Sequence, residues 1–235
     1  MSLNKALYHF VKSIAGLVLT FNVLSLLWVT LYAYIPVTVT KLMVLEKESK
    51  TIEYRWVDLE EISENVQLAV MCAEDQSFLL HNGLDFQSIE KAWESNQKGK
   101  RIKGASTLTQ QVAKNVFLWP GRHWARKGAE LYFALLIEMV WSKERIMEVY
   151  LNVAEFGDGI FGVEAASDAY FKKPALELTK RQAALLAAVL PSPKRYSVTN
   201  PGPYVRKRVQ WVMKQMNHWG GEMTYDKSFV EEMNR

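Results

Sequence analysis

The stretch Glu-Asp-Gln-Ser-Phe-Leu-Leu-His-Asn-Gly-Leu-Asp, residues 74–85, closes one predicted helix and opens the next. Upstream, Ser63 can cap a helix that ends at the first residue of this stretch. Within it, Gly83 favours a tight turn, and Asp85 can cap a helix that stops at Gly99. Helices in such direct succession favour a mainly α domain.

The rest of the chain continues the helical pattern, and almost no segment alternates apolar and polar residues as a half-buried strand would. One short strand is predicted at 51–57. The further predicted helices are one capped by Ser106 that runs to about Val116, one from about Trp124 to Val140, one capped by Ser142 over Lys143 to Asn152, one from about Phe161 to Phe171, one that begins with a capping box of Thr179 and Gln182 and ends at Pro191, and one from Tyr204 to Trp219.

Length and composition suit one domain of ordinary size with an appendage: the chain has 235 residues, of which 49% are hydrophobic. The net charge of +4 is too mild to predict nucleic-acid binding and fits an anionic lipid or phosphate partner as well. The single cysteine, Cys72, excludes an intramolecular disulfide and is predicted to be a small buried hydrophobe.

The N-terminal region predicts a retained membrane anchor, because no residue from Ser13 to Thr40 carries a charge. About 20 apolar residues are enough to cross a bilayer. Lys5 and Lys12 precede this span, so the N-terminus is expected in the cytoplasm. The predicted organisation is a cytoplasmic N-terminus at 1–12, a transmembrane helix at 13–40 with an outer aromatic belt of Trp28, Tyr32 and Tyr34, a linker at 41–62 and a folded domain at 63–235.

Three polar segments of the domain are candidates for a functional site. Glu74 and Asp75 fall at a helix C-terminus, where acids oppose the helix dipole, so we predict a function for them rather than a solvated turn. In residues 104–115, Ser106, Gln110 and Lys114 share one helix face. That face suits an anion, although a plain amphipathic surface helix is the alternative.

The third segment places Arg126 and Glu130 four residues apart on a helix. This spacing alone is equally typical of a surface ion pair, worth about 0.2–0.5 kcal/mol. No organic cofactor is predicted: the pattern Gly-x-Gly-x-x-Gly at 157–162 follows a predicted helix and not a strand. The histidines lack metal-ligand spacing.

Taken together, the three segments resemble family 51 of the glycosyltransferases, the peptidoglycan glycosyltransferases. The resemblance continues through Lys-Glu-Arg-Ile-Met-Glu-Val-Tyr-Leu-Asn at 143–152 and through 159–171, and covers roughly residues 60 to 195 in order. Ala105 departs from the second glycine that many relatives carry, and little effect is expected from so small a residue. Because the chain ends soon afterwards, the monofunctional type is expected.

The resemblance implies a lysozyme-like fold with two lobes around a cleft that opens to the membrane. The implied activity is polymerisation of lipid II into β-1,4 glycan strands with release of undecaprenyl pyrophosphate, by an inverting reaction. A general base then takes the proton of the acceptor 4-hydroxyl, and cations neutralise the leaving pyrophosphate.

Residue by residue, the resemblance implies Glu74 as the general base and Glu130 as a second catalytic acidic residue, with Lys114 and Arg126 on the pyrophosphate. The residues expected to bind substrate are Asp75, Phe78, His81, Ser106, Thr107, Gln110, Gln111, Lys114, Asn115, Arg126 and Lys127. A bare Glu130 would repel a pyrophosphate. It must therefore be protonated, be bridged by a divalent cation such as Mg²⁺ or Mn²⁺, or be paired with Arg126.

The expected partners are lipid II, the growing glycan strand, the membrane and proteins of cell-wall synthesis, with no nucleic acid. The expected location is a bacterial inner membrane, with the catalytic domain in the periplasm. Phe117, Leu118, Trp119 and Trp124 are candidates either for the membrane interface or for the core. Two other functions stay open: a lytic enzyme that cleaves peptidoglycan, and a membrane-anchored scaffold without catalysis.

Overall fold

The computed structural model describes residues 3–48, 51–97, 106–121, 123–226 and 228. The predictions about Gly99, Gly104 and Ala105 lie outside these residues. Within them the mainly α class is confirmed. The ten described helices are α1 Leu3–Tyr34, α2 Lys41–Lys47, α3 Glu64–Glu74, α4 Phe86–Gln97, α5 Leu108–Phe117, α6 Trp124–Val140, α7 Lys143–Val153, α8 Val163–Phe171, α9 Lys180–Val189 and α10 Pro203–His218.

Most helix starts follow the predicted capping chemistry. The Ser63 and Ser142 hydroxyls cap α3 and α7, and Thr179 forms the capping box of α9 with Gln182. The prediction that Ser106 caps the next helix is wrong. Thr107 does so, because its Oγ1 accepts from the backbone N–H of Gln110 while its hydroxyl donates to the Gly83 carbonyl.

Two groups of helices form the domain, in keeping with two lobes. In one group α3 packs against α9 and α10. In the other group α5 packs against α6 and α7. The end of α3 at Glu74 meets the start of α5 between the two groups, because the Leu108 N–H donates to the Asp75 carboxylate.

The apolar helix α1 is long and apolar enough over Leu7–Tyr34 to cross a membrane. It ends before the predicted boundary at Thr40, since the following Pro36 disfavours a helical conformation at Ile35. Thr40 instead caps the short helix α2. The C-terminal part of α1 packs against α6, so the anchor contacts the domain directly.

The predicted linker at 41–62 differs from the structure, because part of it belongs to the folded domain. The short strand β1, Glu53–Tyr54, pairs in parallel with β3, Ile160–Phe161, which pairs antiparallel with β2, Glu155–Gly157. The sheet order is β1-β3-β2. The predicted strand at 51–57 is therefore confirmed in a shorter form.

Candidate active site

Glu74 is the last residue of α3 and reaches the space between the two lobes. Its side chain is 14% exposed, so it can meet a ligand yet is held on both oxygens. Gln111 Nε2 donates to Oε2 at 3.1 Å, and Arg208 Nη2 donates to Oε1 at 3.4 Å. Tyr150 supports Gln111, because its hydroxyl donates to the Gln111 side-chain oxygen at 3.4 Å.

Asp75 fastens the start of α5 to the end of α3. One of its oxygens accepts from the backbone N–H of Leu108 at 2.9 Å, which satisfies a free amide of that helix N-terminus. His81 Nε2 lies 3.0 Å from both Asp75 oxygens, while its Nδ1 accepts from the Gly83 N–H. This pattern assigns the neutral tautomer with hydrogen on Nε2.

Two of the residues expected to bind substrate occupy supporting positions in this structure. Phe78 is fully buried, with the Lys143 ammonium 4.7 Å from its ring centre. His81 is 8% exposed at its side chain and is used on both nitrogens. Direct contact with substrate stays a prediction for these two residues. They position Asp75 and the turn at Gly83, whose φ of +83° a glycine adopts readily.

The first turn of α5 carries the polar face that the sequence predicted. Gln110 is buried, and its Nε2 donates to the Gly83 carbonyl at 3.4 Å. Lys127 of α6 reaches across to this turn. Its ammonium donates to Gln110 Oε1 at 2.9 Å and to the Ser106 hydroxyl at 3.2 Å. The second and third predicted segments therefore form one continuous site.

Glu130 lies at the centre of a cation cluster formed by Lys114, Arg126 and Lys127. Its carboxylate is 5% exposed and accepts from Arg126 Nη1 at 2.8 Å and from Lys127 Nζ at 2.5 Å. Arg126 Nε also donates to the Gly121 carbonyl, which fixes the guanidinium. With three cations and one carboxylate, the cluster keeps an excess of positive charge.

Lys114 connects the cation cluster with Glu74. Burial lowers the pKa of its ammonium, whereas Glu130 and Glu74 raise it, and Arg126 and Lys127 lower it further. Both carboxylates therefore act on this one group. Within the described part of the chain, Lys114 has no hydrogen bond or ion pair, so its ammonium can bind an anion.

Of the three alternatives for Glu130, the geometry favours the ion pair. Both carboxylate oxygens already accept from cationic side chains, and the neighbouring donors from α5 and α6 are cations, an amide and a hydroxyl. A divalent cation prefers carboxylate and carbonyl oxygens without competing cations. The described residues around Glu130 therefore do not fit a metal ion in this arrangement.

An open cleft of about 750 Å³ runs past Glu74. Its lining includes Asp75, Ser106 and Thr107 from the predicted segments. The opposite wall comes from α10, through Trp211, Gln215 and His218. A wide polar cleft of this volume can hold a saccharide beside a carboxylate.

The α10 wall and the role of Tyr150 were not predictable from the polar segments of the sequence. Arg208, Trp211 and Gln215 recur at spacings of three and four residues, so they share one helix face. That spacing indicated a common face, but it did not indicate that Glu74 lies opposite. Asn115, which was expected to bind substrate, is half-buried on α5.

The sequence model of the transglycosylase family matches residues 41–217, which is more than half of the chain and includes Glu74, the cation cluster and most of α10. The chain belongs to the transglycosylase family. The lysozyme-like fold expected from the resemblance is thereby confirmed, and the match begins at Lys41, within the predicted linker.

Relatives of this transglycosylase from several bacteria are similar over most of their length. A biosynthetic peptidoglycan transglycosylase of Bdellovibrio bacteriovorus is 53% identical over 87% of this chain and 85% of its own. Proteins of the same name from Pasteurella multocida and Haemophilus influenzae are each 50% identical, over 85% and 86% of this chain and 85% of their own.

Proposed function

We propose that this peptidoglycan glycosyltransferase polymerises lipid II into β-1,4 glycan strands, with Glu74 as the general base. The observation that carries the proposal is the placement of a partly exposed carboxylate and a cation cluster on either side of α5. Gln111 of α5 holds Glu74, while Gln110 contacts Lys127 of the cluster. The interaction of Lys114 with both Glu74 and Glu130 supports a single site.

In the proposed reaction, Glu74 accepts the proton of the acceptor 4-hydroxyl as that oxygen attacks the anomeric carbon of the donor. The bond between this carbon and the pyrophosphate oxygen breaks, and the pyrophosphate leaves with the bonding electrons. Attack from the face opposite the leaving group inverts the configuration. A positioned general base contributes about 10²–10⁴ in rate.

The cation cluster then stabilises the charge that develops on the leaving pyrophosphate. Arg126 offers a planar fork and Lys127 a compact point charge, and Glu130 holds both of them in place. In this proposal Glu130 acts by holding cations and transfers no proton. Ser106 lies beside Lys127. Ser106, Thr107 and Asn115 are proposed to contact phosphate or sugar.

The membrane anchor fits a substrate that keeps its lipid in the bilayer. We place the protein in a bacterial inner membrane, with the N-terminus in the cytoplasm and the catalytic domain in the periplasm. The anchor also contacts the helix that carries Arg126 and Lys127, because α6 packs against α1. Proteins of cell-wall synthesis remain proposed partners.

A lytic enzyme would cleave glycosidic bonds and would need no cations around a leaving phosphate. The experiment therefore gives the detergent-solubilised protein either labelled lipid II or purified peptidoglycan. We expect glycan strands from lipid II and no soluble fragments from peptidoglycan; release of fragments without polymer would favour the lytic function. Because Glu130 is ion-paired, we also expect EDTA to leave the polymerisation rate unchanged. A rate that falls with EDTA and returns with Mg²⁺ would assign a cation to the site.

A further inference from the structure

Arg208 of α10 meets the C-terminal end of α3, where the general base is carried. Its Nη2 donates to the Ala73 carbonyl at 3.0 Å and to Glu74 Oε1 at 3.4 Å. The guanidinium also lies 5.7 Å from the ring centre of Trp211, one helical turn further along α10. Three contacts of different chemistry therefore fix one side chain, which is 22% exposed.

We propose that Arg208 is a positioning residue for Glu74. Trp211 in turn holds Arg208 by stacking. The inference rests on the proposed role of Glu74 and adds a residue that lies outside all of the polar segments of the sequence. Arg208 contacts neither sugar nor pyrophosphate in this proposal; it contacts Oε1 of the base, whereas Gln111 contacts Oε2.

The physical reason is the unfavourable place of an acid at the end of a helix. The C-terminus of α3 carries partial negative charge, which repels Glu74 and favours other rotamers. A guanidinium that binds the Ala73 carbonyl and the carboxylate together offsets that repulsion. Arginine keeps its charge at any working pH, so it orients the base without competing for the proton.

Two pairs of residues then fix the orientation of the Glu74 carboxylate. Gln111 with Tyr150 behind it holds Oε2, and Arg208 with Trp211 behind it holds Oε1. The 3.4 Å contact is long for a charged hydrogen bond, so the carboxylate keeps the capacity to accept a proton. The charged and titratable groups that face Glu74 from the surrounding elements are Asp75 and His81 after α3, Lys114 on α5, Tyr150 on α7, and Arg208 and His218 on α10.

The test compares full-length Arg208→Met and Arg208→Lys with the control Lys207→Met, which removes the same charge from an exposed neighbouring position of α10. Initial rates of lipid II polymerisation are measured against pH and lipid II concentration. For Arg208→Met we expect kcat to fall roughly 10- to 100-fold with little change in KM, because the base is displaced. We also expect its acid limb to move up by about one pH unit, because a nearby positive charge is lost.

Arg208→Lys should restore the position of the acid limb but only part of kcat. An ammonium cannot bind the Ala73 carbonyl and Glu74 Oε1 and also stack on Trp211 as a guanidinium does. Lys207→Met should retain the wild-type profile. A wild-type pH profile in Arg208→Met, whether or not its thermal stability falls, would overturn the inference and leave Arg208 a structural residue. Failure of the proposed function is distinguishable, because then Glu74→Gln itself would keep the activity.

Discussion

Lys114 is a single residue that we expect to matter for substrate binding and not for the stability of the fold. Other cations of the cluster bind Glu130, whereas Lys114 is half-buried without a hydrogen bond or ion pair among the described residues. Its removal therefore leaves no partner unsatisfied. We expect Lys114→Ala to weaken use of the diphosphate-bearing donor while the unfolding temperature stays nearly unchanged, as measured by polymerisation kinetics and thermal denaturation. The exposed Lys214→Ala is a control, and a large loss of stability would make Lys114 structural.

The pH dependence of the same residue follows from its burial. Burial lowers the pKa of the Lys114 ammonium, so its charge is present at low pH and is lost as pH rises through that lowered pKa. Binding of the diphosphate should therefore weaken on the alkaline side earlier than for an ordinary lysine. The alkaline limb of kcat/KM should disappear in Lys114→Ala, and an unchanged limb would assign it to another group.

Where one segment concentrates polar groups, the sequence predicted which residues belong to the site. It predicted the role of each residue less well. Gln111 was expected on sugar or phosphate but holds Glu74. Phe78 and His81 were expected on substrate but lie behind Asp75. The sequence indicates which residues are polar, while the partner of each depends on how α3 and α5 approach one another.

At the scale of elements, the start of α4 depends on Asp85. Its Oδ1 accepts from the Ser88 N–H at 2.8 Å, and its Oδ2 accepts from the Ser77 and Ser88 hydroxyls. Burial raises the pKa of Asp85, but these hydrogen bonds outweigh burial and lower it below the ordinary value. The stabilisation is therefore complete above the pKa of the unfolded chain, about 3.9, and is lost as pH falls through the lower folded value.

We expect Asp85→Ala to reduce the free energy of unfolding by about 0.5–2 kcal/mol at neutral pH, as is typical for the loss of a helix cap. The difference from wild type should shrink as the pH falls through the folded pKa. Urea denaturation at several pH values measures both effects, with the exposed Glu90→Gln of the same helix as a control. A difference that does not change with pH would mean that the carboxylate charge is irrelevant.

The anchor helix is joined to the domain by Arg145 of α7. Its guanidinium donates to the carbonyls of Tyr32 at 2.9 Å and Ile35 at 2.5 Å, which are free acceptors at the end of α1. It also lies 5.2 Å from the ring centre of Trp56 and 5.9 Å from that of Trp141. One side chain therefore caps α1 and stacks within the domain.

Because a lysine has neither the planar fork nor the stacking surface, we expect Arg145→Lys to destabilise the protein by roughly 1–3 kcal/mol. Thermal unfolding in detergent measures the change, and the exposed Arg181→Lys of α9 is the matched control. If Arg145→Lys keeps the wild-type midpoint, the positive charge facing Glu148 is sufficient and the two carbonyl contacts contribute little.

At the scale of the whole molecule, α6 exposes an apolar stripe formed by Trp124, Leu135 and Met139. These residues are 83%, 48% and 78% exposed and share one helix face. The stripe therefore belongs to the helix that packs against the membrane anchor α1. Of the residues that were expected either at the interface or in the core, Phe117 and Leu118 belong to the core, whereas Trp119 and Trp124 are exposed.

We expect this stripe to enter the membrane interface. The double substitution Leu135→Glu with Met139→Glu should lower polymerisation of lipid II in vesicles much more than in detergent, because charge at the interface opposes insertion. Leu176→Glu, an exposed apolar position in the 3-10 turn before α9, is the control. Equal losses in vesicles and detergent would assign the stripe to folding or to a protein partner.

The positions of the helices were predictable from local sequence patterns, whereas contacts between distant segments were not. Capping residues and apolar periodicity placed the helices from α3 to α10 within a few residues. The wall that α10 forms was not predictable, because Arg208 and Glu74 are 134 positions apart and an amphipathic pattern does not identify its partner. The same reason explains the predicted linker, since β1 belongs to the domain only through its pairing with β3.

The central claim is that one carboxylate removes the acceptor proton while the cation cluster holds the departing diphosphate. Its most direct test is Glu74→Gln, with lipid II binding and polymer formation measured in the same detergent sample. We predict that the variant folds and binds lipid II, while glycan formation falls by about 10²–10⁴. Glycan formation at the wild-type rate would contradict the account.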